Sequence, residues 1–345
     1  MRKSYLLLIA IPVSFVARAM KLDTVTFISS IVAIIPLAGI IGRATEDLAS
    51  RVGARLGGLL NATFGNVTEL IIATFLIVGG EVEVVKVSIT GSILGNMLLV
   101  LGASFLLGGI RYREQEFNAK AAGMHSASLV LAVTGMMMPA IFHSSVPNAS
   151  FIAEETISVG VAAILMLLYI SSLVFSFVTH QEVITTHHEP SKGGWSTKTA
   201  GFVLLGTTVL VALESEMLVH SLEKATESLH LSKLFIGLIL VPIVGNAAEH
   251  SSAVLLAMKN KVDTAIEIAI GSSTQIALFI APLLIFISLA VGKPMNFFFS
   301  GFEVAAVGIS TGIVALISLD GRSNWLEGAQ LIAAYVIIAI SFYFL

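Results

Sequence analysis

Two short stretches hold the residue types best suited to chemistry. Gly65-Asn66-Val67-Thr68-Glu69 and Gly245-Asn246-Ala247-Ala248-Glu249 repeat a glycine, an asparagine and, three residues on, a glutamate, at an offset of 180 residues. On a helix, positions three or four apart share a face, so each asparagine amide and its glutamate carboxylate point the same way. Both glutamates lie deep in apolar runs, with no basic residue close to them in the run. An ionisable group at bilayer depth costs at least about 2.5–3.5 kcal/mol, which makes it a functional residue by default.

The following run adds oxygen in each case. Ser88, Ser92 and Asn96 recur at intervals of four, as do Glu267, Gly271 and Gln275, and Gly91-Ser92 falls on Gly271-Ser272 at the same offset. Two carboxylates match the charge of a divalent ion. Amide, hydroxyl and carbonyl oxygens without thiolates and with few imidazoles make a hard-cation ligand set, better suited to calcium or manganese than to copper or zinc. Burial disfavours a bare carboxylate, so metal and protons should compete for a pair that titrates as a coupled unit. With alternating exposure of the site, that competition is sufficient for antiport. His250, directly after Glu249, is read equally as tuning that carboxylate, shuttling protons or simply packing. The expected metal ligands are Glu69 and Glu249, and Asn66, Asn246, Asn96, Gln275, Ser92, Ser272, Gly65, Gly245 and His250 complete the cation- and proton-binding set.

The elements that must position these groups are membrane helices. Of 345 residues 56% are apolar and 12% charged, and the mean hydropathy is +0.94. A water-soluble enzyme does not have such a composition. With 19 basic residues against 22 acidic ones, the chain also lacks the charge excess of a nucleic-acid binder, and with no cysteine it has no disulfide or thiolate chemistry. A span needs about 20 mostly apolar residues. Runs of that kind cover 4–20, 24–43, 55–79, 82–109, 121–142, 156–179, 199–220, 233–258, 262–290, 298–318 and 325–345, which predicts eleven spans. Arg2-Lys3 and Ala17-Arg18-Ala19 around the first run also resemble a secretory signal, but the run continues almost at once into another span.

The matched motifs define two five-span copies, 24–179 and 199–345, with 1–23 as a peripheral helix and 180–198 as a central cytoplasmic loop. An odd number of spans per copy inverts the second relative to the first. Inverted repeats place a substrate site near the midplane, where the copies meet. With the N-terminus in the cytoplasm, Arg43, Arg51, Arg55, Arg111, Arg113, Lys120, Lys259 and Lys261 all fall inside, as the positive-inside rule requires.

The stretches from Gly58 to Leu70 and from Val244 to His250 resemble the two signature helices of the calcium/proton exchanger (CAX) family, and Gly91 to Asn96 and Gly271 to Gln275 resemble its supporting stretches. The resemblance covers both halves. It implies an eleven-span, all-α, inverted-repeat antiporter that exports Ca²⁺ from the cytoplasm against H⁺ by alternating access. Glu69 and Glu249 would carry both ions, with Asn96 and Gln275 lining the polar path. Ca²⁺ and H⁺ are then substrates, no cofactor is implied, and the surroundings are the lipid bilayer, with no nucleic-acid partner. A bacterial or archaeal cell membrane is the expected location, and a homo-oligomer is compatible with it. The acidic stretch that some members carry between the halves is absent from 180–198, which holds Glu182 and Glu189 beside Lys192 and Lys198.

Other readings are weaker. A Na⁺/Ca²⁺ exchanger would have serine-rich repeats with a proline before the acid, and a Mn²⁺ exchanger would use the same ligands. A channel would not couple to protons. An intramembrane hydrolase needs a nucleophile with its base or a metal-bound water, and no such set is present. His187-His188-Glu189 reads as a solvated cluster, and Glu303, Glu46 and Glu227 as interfacial charges.

Overall fold

The computed structural model describes residues 4–146, 150–179 and 194–344. Lipid offers no hydrogen bonds, so an apolar run must satisfy its backbone internally, and the chain is accordingly almost all helix. A 3₁₀ turn at Ser4–Ile9 leads into α1 (Ala10–Ala19) and α2 (Asp23–Val52). Next come α3 (Ala54–Phe64), α4 (Val67–Gly79), α5 (Val82–Tyr112), α6 (Ala119–Ser145) and α7 (Ile152–Thr179). After the central connection follow α8 (Thr197–Leu229), α9 (Lys233–Gly245), α10 (Ala247–Ala257), α11 (Val262–Ala290), α12 (Gly301–Ile317) and α13 (Trp325–Tyr343).

Among the described residues, seven helices are long and apolar enough to cross a membrane, or eight when α9 and α10 count as one bent span. Tyr5–Ala19, Val67–Gly79 and Gly301–Ile317 are apolar but shorter. The expected run 55–79 is not one helix: it divides into α3 and α4 at Gly65-Asn66. Its counterpart 233–258 bends by 63° at Asn246. Asn246 has backbone angles outside the helical well, and glycine beside it weakens the turn. The carbonyls of Asn66 and Asn246 accept the N–H groups of Leu70 and His250, the start of the following helix in each case.

The expected runs 24–43 and 199–220 extend into the much longer α2 and α8, which pack along one another. Asp23 and Lys224 pair at 2.7 Å at one end of this couple, and at the other the Arg43 guanidinium covers the Trp195 ring while Asp47 accepts from the Trp195 N–H. One short ribbon departs from the all-helical expectation: Glu114–Glu116 (β1) pairs antiparallel with Arg322–Asn324 (β2). Within α5, α9 and α11 the helix widens into π-type turns at Gly95–Val100, Ile236–Leu240 and Ile276–Ile280. The turns in α5 and α11 begin beside Asn96 and Gln275, and such turns commonly mark functional positions.

Candidate cation-binding site

The two bends bring the repeated motifs face to face. Glu69 and Glu249 each fall in the first turn of the helix after a bend, α4 and α10. Glu69 is 8% exposed, and Asn66 and Asn246 are 1% exposed. The contacts run crosswise. A methyl built on Gly245 would stand 2.9 Å from Glu69 Cγ and 3.3 Å from its Oε1, and one built on Gly65 would stand 3.3 Å from Glu249 Oε1. Each carboxylate thus rests on the glycine of the other motif, a space that only a residue without Cβ leaves open. The two carboxyls are close enough to interact electrostatically.

The asparagines reach across in the same way. Asn66 Nδ2 donates to Gln275 Oε1 at 2.8 Å and its Oδ1 accepts from Ser272 Oγ at 2.8 Å, which ties the first bend to α11. Asn246 Nδ2 donates to the Pro242 carbonyl at 3.0 Å and to Ser92 Oγ at 3.4 Å, which ties the second bend to α5. His250 Nε2 and Asn96 Oδ1 are 3.0 Å apart. Ser272 also neighbours Glu249, and Asn246 neighbours Glu69. Nine of the residues singled out in the sequence are thus joined by contacts, and His250, next to Glu249 in the chain, forms a pair of its own with Asn96.

Four oxygens of this cluster are buried without any hydrogen-bond donor: Glu69 Oε1 and Oε2, Glu249 Oε2 and Asn246 Oδ1. Beside Glu69 lies a cavity of about 10 Å³, enough for one water-sized sphere, lined also by Ser88 and Ser92 with Ala73, Ile276 and Ile280. Buried acceptors normally find donors. Three carboxylate oxygens and one amide oxygen without a donor are matched by a hard cation or by protons. Among the described residues no three or more His, Cys, Asp or Glu side chains form a group that could hold a metal ion.

Other positions turn out differently. Glu303, expected at the interface, is buried: its carboxylate accepts from the Ser300 N–H at 2.8 Å and from Thr90 Oγ1 at 3.3 Å, which caps α12. Glu46 and Glu227 are exposed at helix ends. His187, His188 and Glu189 lie outside the described residues. The apolar lining of the cavity, Ala73, Ile276 and Ile280, carries no signal that distinguishes it in sequence from ordinary span residues. Glu214, buried in mid-helix, is also not singled out there, although the rule for intramembrane acids applies to it equally.

Residues 22–178 and 199–344 match the family model described as sodium/calcium exchanger protein. The Ca²⁺/H⁺ antiporter of Aphanothece halophytica is 45% identical over 98% of this chain and 95% of its own length. The Ca²⁺/H⁺ antiporter ChaA of Bacillus subtilis strain 168 is 44% identical over the whole of both chains. The solved structure of native YfkE superposes with a TM-score of 0.87 at 42% identity, covering 99% of this chain and all of its own.

Proposed function

This chain belongs to the sodium/calcium exchanger protein family, and from that premise we propose that its exchange of calcium for protons passes through one site shared by Glu69 and Glu249. The chain is an integral membrane Ca²⁺/H⁺ antiporter, a transporter and not an enzyme. The observation that carries the site is the set of four donorless buried oxygens where the two motifs meet.

In the calcium-bound state the two carboxylates cancel the ion's charge, with Asn246 Oδ1 and the hydroxyls of Ser92 and Ser272 available as neutral ligands. In the protonated state the same carboxyls are neutral. Both loaded states are charge-balanced, whereas the site with two bare carboxylates holds two close negative charges in low dielectric. Return without a passenger is the costly step, and this makes exchange obligatory. Asn66, held by Ser272 and Gln275, and Asn96, beside His250, keep the walls of the site in register. Gly65 and Gly245 provide the room for the carboxylates.

The same proposal makes 24–179 and 199–345 inverted five-helix repeats around the site, with 1–23 a peripheral helix and eleven spans in all. It is supported by the two separate blocks of the family match and by the crosswise contacts. It sets the N-terminus and the 180–198 connection in the cytoplasm of a bacterial or archaeal cell, with calcium leaving by rocking or sliding of one helix group against the other.

The test is calcium uptake into proteoliposomes driven by a pH gradient, with a sodium gradient as the comparison. Glu69→Gln and Glu249→Gln should each abolish uptake while folding remains intact by size-exclusion profile, because an amide neither balances a divalent ion nor releases a proton. Substantial exchange by either variant would overturn the shared site.

A further inference from the structure

One more carboxyl is wholly enclosed by apolar helices, away from the two motifs. Glu214, midway along α8, is 0% exposed. Its Oε1 lies 2.8 Å from Ser14 Oγ of α1. Ser30 of α2 flanks the same carboxyl. Glu214 Oε2 and Ser30 Oγ are both buried without a partner.

Arg18, one turn along α1 from Ser14, pairs through Nη2 with Glu216 of α8 at 3.2 Å, and its Nη1 is buried without a partner. Asp23 of α2 pairs with Lys224 at 2.7 Å, near the far end of α8. The other charged residues of α2, from Arg43 to Arg51, lie towards the opposite end of the helix, and α4 contributes Glu69. His220 follows on α8 itself. Among the described residues no cation pairs with Glu214.

Counting hydrogens shows what is missing. Ser14 has one hydroxyl hydrogen and two acceptors in reach, the Ile11 carbonyl at 2.6 Å and Glu214 Oε1 at 2.8 Å. Ser30 Oγ has no acceptor within bonding distance. An ionised carboxylate would therefore receive one hydrogen bond, from Ser14, and no paired cation, at a depth where an uncompensated charge is costly. One added proton neutralises the group: Oε1–H donates to Ser14 Oγ, and Ser14 donates to the Ile11 carbonyl.

We propose that Glu214 is a second proton-binding site, permanently loaded and separate from the transport site, which clasps the peripheral helix α1 to the α2 and α8 pair. The ligand is a proton, and the clasp is a chain of two hydrogen bonds from α8 through Ser14 to Ile11 of α1, with Ser30 of α2 against the same carboxyl. It stands whether or not Glu69 and Glu249 share calcium.

Infrared spectroscopy of the full chain in lipid at neutral pH tests it. A carboxylic-acid carbonyl band should be present in the wild type, persist in saturating calcium and be lost in Glu214→Gln. Ser14→Ala should keep the band but shift it upwards, as a hydrogen bond is removed. Glu214→Gln should retain exchange within about threefold, since the amide also donates and accepts. Identical wild-type and Glu214→Gln spectra would show an ionised Glu214 and overturn the proposal. A band that calcium removes, or exchange lost in Glu214→Gln, would place Glu214 in the transport cycle and overturn its separation from it.

Discussion

Gly245→Ala asks how tightly the two halves define the site. The added methyl would stand 2.9 Å from Glu69 Cγ, 3.1 Å from Cδ and 3.3 Å from Oε1. Non-bonded carbons pack at about 3.5–4.0 Å, so the carboxyl must withdraw by about 0.6–1 Å. Calcium–oxygen contacts span only about 2.3–2.6 Å, so a shift of that size breaks a ligand geometry. Overpacking of this kind costs about 1–3 kcal/mol. If the cost falls on the bound state, calcium affinity drops by about 5- to 150-fold. Gly271→Ala is the matched control: it belongs to an equally repeated motif, but nothing lies within 4 Å of its added methyl. The half-saturating calcium concentration for uptake driven by a pH gradient should rise in Gly245→Ala and stay within about twofold in Gly271→Ala, where a helical glycine tolerates alanine. Wild-type affinity in both variants would refute the argument that Gly245 seats Glu69.

Acidifying the face from which calcium binds should weaken apparent calcium affinity, because protons on the pair must leave before calcium enters. The limit is about 100-fold per pH unit if two protons are displaced. Affinities titrated across pH check this, and a flat profile would contradict shared occupancy. Gln275→Leu removes the acceptor of Asn66 Nδ2 and leaves a buried amide unsatisfied, at a cost of about 1–3 kcal/mol. It should lower both the melting temperature and calcium affinity, and unchanged values in both would show that Asn66 needs no anchor. Gly91→Ala drives a methyl into the Leu238 backbone of α9, whereas Gly95→Ala meets nothing within 4 Å. Thermal unfolding should show Gly91→Ala destabilised by at least about 1–3 kcal/mol and Gly95→Ala unchanged, and equal stabilities would deny the close approach of α5 and α9.

Much of the site is legible in the sequence for a local reason. In lipid an apolar run can satisfy its backbone only as a helix, so the runs announce helices, and an acid inside one is conspicuous. Glu69 and Glu249 stand out in that way, and the shared offset links them to Ser92 and Ser272 before any coordinates exist. Helix ends are less legible, because charge marks the edge of the apolar slab and not the end of hydrogen bonding. Glu46, Asp47 and Arg51 lie beyond the apolar run yet remain within α2.

What only the tertiary structure decides is which partner each group meets. Asn66 and Glu69 share a helix face by spacing alone, but that Asn66 bonds Ser272 and Gln275, and that Glu69 seats on Gly245, depends on how one half packs against the other. The same holds for Glu303, buried through Thr90 and Ser300, and for Glu214, enclosed by Ser14 and Ser30. Spacing along one chain segment sets a direction, and contact needs a second surface, whose position follows from the packing of the whole bundle.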